Sequence, residues 1–335
     1  MKVRYAIISV GGWARGVHIP NLNQIANAEI AALCSRSEEN LKAGLKLCKN
    51  APKTYSDHRD MLRADDVDAV IVCSPNCLHA ALSIEALEAG KHVLCEKPMA
   101  LTVSDCDRVI ETVERTGRLF QIGLELRYSD FFNEARQIIK EGKIGQPRMA
   151  WCAHHRGPTS KHKWRGQKEI SGGPIFDVGV HYSDLFHFLL DSMPASVYAT
   201  AAAFDNDGIW DCCEAVVTLA NGAICNYRQT LISRHHLDTA IYVLGSEAYL
   251  HANMSRKQIV VFSTQDRDAQ PVILDRPDKG PVYGFDGSLQ QLRSFTDCIL
   301  MGTPPVVGPE VGRITTSLCV AIEESIATGQ HVTIE

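Results

Sequence analysis

The 335-residue sequence has no apolar run approaching the roughly 20 residues that a membrane helix needs. The stretch Met1 to Ser9 is too short and too interrupted to serve as a signal peptide. A cytoplasmic location is therefore expected, with no membrane partner. There is no surplus of positive charge either: 34 Lys and Arg face 39 Asp and Glu, a net −5. That balance gives no basic footprint for nucleic acid or for an anionic lipid surface. Low-complexity segments, charged tails and internal repeats are absent. The 12 cysteines lack any paired CxxC spacing, and Cys73 and Cys77 do not make one. They read as free thiols behaving as small hydrophobes in a reducing compartment. The adjacent pairs His154-His155, Cys212-Cys213 and His235-His236 are poor chelates, because neighbours in a strand point to opposite faces. No metal site is expected.

What remains is an ordinary globular composition, 45% hydrophobic and 22% charged. The length favours two domains over one core. The first third alternates strand-like and helix-like segments. Apolar runs at Val3 to Ser9, Glu29 to Cys34, Val67 to Cys73, Lys91 to Cys95 and Leu119 to Gly123 read as buried strands. Between them lie helix signals. A segment from Ala14 to Ala26 is interrupted by Pro20; Ser37 caps a Leu41, Leu45 stripe; Ser56 or Asp57 caps a short helix through Leu62. Further helices run from His79 to Ala89 before Gly90, and from Ser104 to Thr116 before Gly117. Such alternation predicts a doubly wound parallel sheet covered by helices on both faces.

The pattern changes after about Leu124. A helix near Phe131 to Glu141 ends at Gly142, and a longer one follows Gly172-Gly173. Strand-like runs follow at Ser196 to Ala203, Glu214 to Leu219, Ala223 to Thr230, Thr239 to Leu244, Ala248 to His251 and Gln258 to Phe262. Asn221-Gly222 between two of them is a hairpin signal. Helices return at Leu289 to Met301 and Gly312 to Gly329. The domains expected are 1–123, a dinucleotide-binding Rossmann domain, and 124–335, an α/β domain for substrate binding and oligomerisation.

A dinucleotide site needs a tight turn after the first strand and a helix N-terminus facing the pyrophosphate. The segment Ser9-Val10-Gly11-Gly12-Trp13-Ala14 stands there, with Ser9 in place of the first glycine of GxGxxG/A. At the end of the second strand an acidic residue would hold the ribose hydroxyls of NAD. Here the chain reads Cys34-Ser35-Arg36-Ser37, with no carboxylate before Glu38. Arg36 offers a guanidinium and Ser35 a hydroxyl to a 2′-phosphate, so NADP is preferred over NAD. Ser74, Asn76 and His79 stand just beyond a strand's carboxyl end, where cofactors bind, and are cofactor candidates.

Three stretches carry a resemblance. Cys73-Ser74-Pro75-Asn76-Cys77-Leu78-His79 is followed by Ala89-Gly90-Lys91-His92-Val93-Leu94-Cys95-Glu96-Lys97-Pro98. Then comes Gly172-Gly173-Pro174-Ile175-Phe176-Asp177-Val178-Gly179-Val180-His181-Tyr182-Ser183-Asp184. In order and spacing, over nearly the whole chain, these resemble the glucose–fructose oxidoreductase/inositol dehydrogenase (Gfo/Idh/MocA) family. The resemblance implies a Rossmann domain followed by an α/β domain with a large open, mainly antiparallel sheet that often mediates dimers or tetramers. It also implies that Lys97, Asp177 and His181 work in one catalytic site beside a nicotinamide cofactor.

The residue types suit that chemistry. Oxidising a secondary alcohol needs a base near neutral pKa and a cation for the developing alkoxide. His181 is expected as acid/base and Lys97 as its electrostatic partner. Asp177, His181 and Asp184, at i, i+4 and i+7, share one face of a regular helix. Asp177 either fixes the His181 tautomer or holds a substrate hydroxyl, and Asp184 either braces the helix or acts in the site. Glu96 makes a structural contact or orients Lys97. Gly179, unfavourable inside a helix, is explained by close packing of cofactor or substrate. Arg127, His155, Trp164 and Tyr283 are the substrate-wall candidates, Trp164 as a platform for a sugar ring. The expected reaction is NAD(P)-dependent hydride transfer at a hydroxyl or ketone of a sugar, cyclitol or polyol. The competing readings are a glycosidase that uses NAD for transient oxidation and a non-catalytic dinucleotide-binding regulator.

Overall fold

The computed structural model describes residues 2–157, 164–205, 209–233, 239–266, 269–275 and 286–334. The chain divides into two compact units, Met1–Glu125 with Gly287–Thr316, and Leu126–Asp286 with Ser317–Glu335.

The first unit alternates strand and helix: β1 (Val3–Ile8), α1 (Ile19–Leu22), β2 (Ala28–Cys34), α2 (Glu38–Leu45), β3 (Lys53–Tyr55) and α3 (His58–Leu62). It continues with β4 (Ala69–Val72), α4 (His79–Glu88), β5 (His92–Glu96), α5 (Val103–Thr116) and β6 (Phe120–Gly123). All strand pairs are parallel, in the order β3-β2-β1-β4-β5-β6. Tyr5, Ile7, Leu33, Ile71 and Leu94 lie in one core and are almost wholly buried. Strands covered on both faces have no polar side to show, which is why they read as unbroken apolar runs. The helix starts follow local chemistry. Ser37 accepts from the Asn40 amide at 3.2 Å, Asp57 from Arg59 at 2.8 Å, and Thr102 from Asp105 at 3.2 Å. Pro20 does not break its segment. A wide π-type turn over Ala14–His18 precedes α1, so Pro20 falls in the first turn, where its missing N–H matters least.

The second unit holds α6 (Asp130–Lys140), β7 (Pro147–His155), α7 (Lys168–Ser171), α8 (Val180–Leu190), β8 (Pro194–Ala202), β9 (Cys212–Leu219) and β10 (Ile224–Thr230). Then come β11 (Ala240–Gly245), β12 (Ala248–Asn253), β13 (Gln258–Ser263) and β14 (Val272–Asp275). The chain ends with α9 (Asp286–Met301), α10 (Pro309–Thr328) and β15 (Val332–Thr333). The nine-stranded sheet runs β14-β13-β12-β11-β7-β10-β9-β8-β15. Its pairs are antiparallel except β7–β10. Helix α8 packs on β7 and β10. One face of this sheet is buried through Ala150, Cys152, Val197, Ala215, Val217 and Val243. On the other face Met149, Tyr198, Val216 and Ile224 are 39–48% exposed.

Two features depart from the sequence reading. β7 is not among the strand-like runs that the sequence shows, yet it is the sheet's central strand. Its inner face is Ala150, Cys152 and His154, which give period-2 alternation without the branched residues that normally announce it. The segment 287–316, expected with the second domain, belongs to the first unit. Leu292 and Phe295 of α9 enter the first core, Tyr5 Oη and Thr296 Oγ1 share a buried hydrogen bond of 2.8 Å, and Gln121 Nε2 donates to the Gln291 carbonyl at 3.1 Å. All 12 cysteines are free. Burial pushes the Cys34 thiol up to about 11 and the Cys213 thiol up to about 12.

Candidate active site

In the first unit the candidate residues gather at the carboxyl ends of β1, β4 and β5, where the strand order reverses. Ser9 takes a left-handed φ of 69°, the conformation a glycine would adopt without strain, and its N–H donates to the Cys34 carbonyl at 2.8 Å. A Cβ built on Gly11 or Gly12 meets nothing within 4 Å, so the backbone of the turn is open to a phosphate. The helical segment that follows supplies first-turn N–H groups beside it, through Trp13 and Ala14. At the end of β2, Arg36 is exposed, and Ser35 Oγ accepts from the Ser37 amide at 3.2 Å. These features fit a dinucleotide.

Behind this turn lies a buried polar cluster. Glu96 is 6% exposed, and its Oε1 accepts from Trp13 Nε1 and His18 Nε2, both at 2.8 Å. Burial pushes its pKa up. The His18 hydrogen bond and charge, the Lys97 charge and the Trp13 bond outweigh that and leave the carboxyl below the usual range. Glu96 thus anchors the end of β5 to the turn after β1, and Lys97 projects from the next position. The Lys97–Pro98 bond is cis. His79 is buried, with Nδ1 2.6 Å from the Pro98 carbonyl and Nε2 2.8 Å from the Ser74 carbonyl. Its ring ties the turn after β4 to Glu-Lys-Pro, and burial lowers its pKa. Ser74 and Asn76 are buried in the same turn, with Ser74 Oγ donating to the Pro75 carbonyl at 3.3 Å.

In the second unit Asp177 lies in a wide π-type turn over Ile175–Gly179, and α8 begins at Val180. The regular ladder expected through Asp177, His181 and Asp184 is interrupted by that turn. Asp177 is 5% exposed and its Oδ1 accepts from Arg165 Nε at 2.9 Å. His181 is half-buried at the start of α8. Asp184 braces its surroundings: Arg127 Nε and Nη2 donate to its two oxygens at 2.8 and 2.6 Å, with Arg127 also over the Phe188 ring. The guanidinium of Arg127 is thereby committed to a neighbouring helix. Gly179 is explained by protein rather than ligand, which corrects the sequence reading. A Cβ there would lie 2.3 Å from Ile175 Cδ1 and 3.1 Å from both Tyr227 Oη and Gln229 Oε1.

The remaining wall candidates separate. His155 lies on the sheet face opposite α8 and shares a 2.9 Å hydrogen bond with Thr230 Oγ1; burial and then Arg228 lower its pKa. Its neighbour His154 faces α8 and stacks on Tyr182 at 4.4 Å. Trp164, half-buried in a short 3-10 turn, carries the Arg165 guanidinium 4.7 Å above its ring. Tyr283 lies outside the described residues. Among the described residues no group of three or more His, Cys, Asp or Glu forms a metal cluster.

Three participants were missed. His18 is a polar residue in an apolar segment, Arg165 adjoins a tryptophan already singled out, and Glu125 is a carboxylate between Leu124 and Leu126. His18 and Glu125 are polar groups where the pattern expects apolar ones, a usable signal, whereas Arg165 is exposed and only its place beside Trp164 could have pointed to it. Glu125 is 2% exposed. Burial, and then the charge of Glu96, push it up to about 8 against the pull of Lys97.

The parallel sheet, its open turn and the anchored Glu-Lys-Pro segment define an α/β unit of the dinucleotide-binding class. Comparison with known sequences is consistent with this. Residues 3–124 match the model of the oxidoreductase family with an NAD-binding Rossmann fold, and residues 132–251 match the GFO/IDH/MocA C-terminal domain. The chain belongs to the Gfo/Idh/MocA family. It is 27% identical to a myo-inositol 2-dehydrogenase of Thermotoga maritima over 99% of both chains. It is 26% identical to an NADP+ D-xylose 1-dehydrogenase of Haloarcula marismortui, over 99% of this chain and 93% of the relative. Its fold matches the crystal structure of an aldose–aldose oxidoreductase from Caulobacter crescentus complexed with glycerol, with a TM-score of 0.87, 24% identity and full coverage of both chains.

Proposed function

We propose that this protein transfers a hydride between NADP, or NAD, and a secondary hydroxyl or ketone of a sugar, cyclitol or related polyol. The observation that carries the reading is the open Gly11-Gly12 turn tied, through Trp13 and Glu96, to the strand end that presents Lys97. Relatives named for myo-inositol and D-xylose support the substrate class. When bound, the nicotinamide supplies the hydride acceptor or donor. Gly11, Gly12, Trp13 and Ala14 would hold its pyrophosphate, Ser35 and Arg36 its adenosine ribose, and Ser74 and Asn76 would also contact it, with His79 fixing their turn. In oxidation His181 takes the hydroxyl proton on a ring nitrogen, and in reduction it returns it. Lys97 donates a hydrogen bond from Nζ to the oxygen and stabilises its negative charge. Asp177, held by Arg165, orients His181 and the substrate, and Trp164 offers an apolar face to the ring.

A homodimer or homotetramer is part of this reading. Tyr198, Val216, Ile224 and Met149 lie on adjacent strands of the exposed sheet face, an apolar strip that a second copy of the chain would cover. The functional test is a panel of polyols, including myo-inositol and D-xylose, followed at 340 nm with NADP and NAD. Turnover is expected, and Lys97→Ala lowers kcat by about 10²–10³-fold with cofactor binding retained. Near-normal turnover in that variant removes Lys97 from the chemistry. Substrate cleavage with retained cofactor and no net absorbance change would replace the reading with the glycosidase one.

A further inference from the structure

The proposed chemistry leaves one buried acid of the first unit unused. Glu125 lies two residues beyond Gly123, and Gly123 is the register partner of Glu96. The approach of those strand ends is close. A Cβ on Gly123 would sit 3.1 Å from both Cα and Oε2 of Glu96. Glu125 therefore leaves β6 at the sheet edge from which Glu96 and Lys97 leave β5, and it is 2% exposed there. We propose that Glu125 is a positioning residue for Lys97, its buried carboxyl setting the local charge in which the ammonium meets the substrate oxygen. The inference rests on the role given to Lys97 above.

The two carboxyls at this edge are held in opposite ways. Glu96 has two donors on Oε1 and lies below the usual carboxylate range. Glu125 is raised from its ordinary 4.5 to about 8, by burial first and by the Glu96 charge second, while Lys97 lowers it. Among the described residues the charges acting on it are those of Glu96 and Lys97, a backbone hydrogen bond at Glu125 itself also lowers it, and His18 stands one step beyond through Glu96. Neighbouring carboxyls driven apart in this way divide one charge and one proton between them at neutral pH. With Glu125 neutral, Lys97 faces one carboxylate and keeps its pull on a developing alkoxide. Once Glu125 ionises, a second anion competes for the ammonium, so turnover falls as pH rises through about 8. The same shift acts on folding. The native state holds a proton that the unfolded chain has released, so this contribution is fully present below about 4.5 and lost as pH rises towards about 8.

Carbon-13 NMR of the full-length protein labelled at the glutamate carboxyl carbons reads this directly, without substrate. One carboxyl resonance is expected to titrate near pH 8 and to vanish in Glu125→Gln. In Lys97→Met it remains but titrates at higher pH, because the cation that opposes it is gone. With the best polyol from the panel, the alkaline fall in kcat near pH 8 is lost in Glu125→Gln and kept, displaced, in Glu125→Asp. A Glu125 resonance in the ordinary carboxylate range, or a midpoint unmoved by Lys97→Met, overturns the inference. So does an alkaline limb identical in Glu125→Gln. If no polyol is turned over, the functional reading fails by itself, and the Lys97→Met titration still decides whether the two groups are coupled.

Discussion

The two units treat buried acids differently. In the second, each buried aspartate of the candidate site has an arginine: Arg127 grips Asp184 through two bonds, and Arg165 meets Asp177. In the first, Glu96 is held by an indole and an imidazole, and Glu125 has been pushed up to about 8. A carboxylate matched to a guanidinium is a fixed element, good for holding geometry. A carboxyl balanced between burial, a second carboxyl and one lysine responds to pH near neutrality. The contrast gives the Asp184–Arg127 pair a fixed geometry and leaves the Glu125 carboxyl sensitive to pH.

The sharpest way to break this comparison is to remove a member of the best-formed pair. Asp184 is 2% exposed, and its partner's side chain is 9% exposed. Asp184→Ala leaves Arg127 buried and uncompensated, so a loss of about 3–5 kcal/mol in unfolding free energy is expected from denaturant titration. A loss under about 1 kcal/mol would show that water reaches the guanidinium and that the pair is no rigid anchor. An exposed arginine of the first unit gives a smaller effect of another kind. Arg36 is exposed at the end of β2. Arg36→Ala should leave stability unchanged within about 0.5 kcal/mol, as for other surface changes. It should weaken NADPH about tenfold, or about 1.4 kcal/mol, with NADH hardly altered in fluorescence titration. Equal weakening of both cofactors would take the 2′-phosphate away from Arg36.

How much of this was legible in sequence follows the same division. The first unit's elements are local. A strand, its turn and the cap of the next helix lie within a few residues, so Ser9 to Ala14, Ser37 and Asp57 could be read directly, while Glu96-Lys97 was singled out only by the family resemblance. Second-unit partners lie far apart in the chain. Asp184 meets a residue 57 positions away, and no pattern in its own helix announces Arg127. The choice between His154 and His155 depended on strand parity, which was invisible while β7 was unrecognised. The return of α9 to the first core was equally hidden, because Leu292 and Phe295 mark an apolar helix face without saying which sheet it covers. Glu125 was legible as an acid in an apolar context, but its raised pKa comes first from burial and then from the Glu96 charge, which only the folded chain brings to it.

The smallest expected effect separates holding a geometry from holding the fold. The Arg165 side chain is 43% exposed, so its bond to Asp177 competes with water and contributes little to stability. Arg165→Ala is expected to shift unfolding free energy by less than about 1 kcal/mol, far below the Asp184→Ala loss. The proposed orienting role predicts a separate signature in kinetics. Asp177 loses a donor that fixes one oxygen, so kcat falls while NADPH binding stays at the wild-type value, and Arg165→Lys restores part of kcat by returning a cation without the planar fork. Unchanged kcat in Arg165→Ala would mean that Asp177 is oriented by its own turn. A destabilisation matching Asp184→Ala would mean that both arginines serve the fold, and the distinction between a structural pair and a site pair within the second unit would disappear.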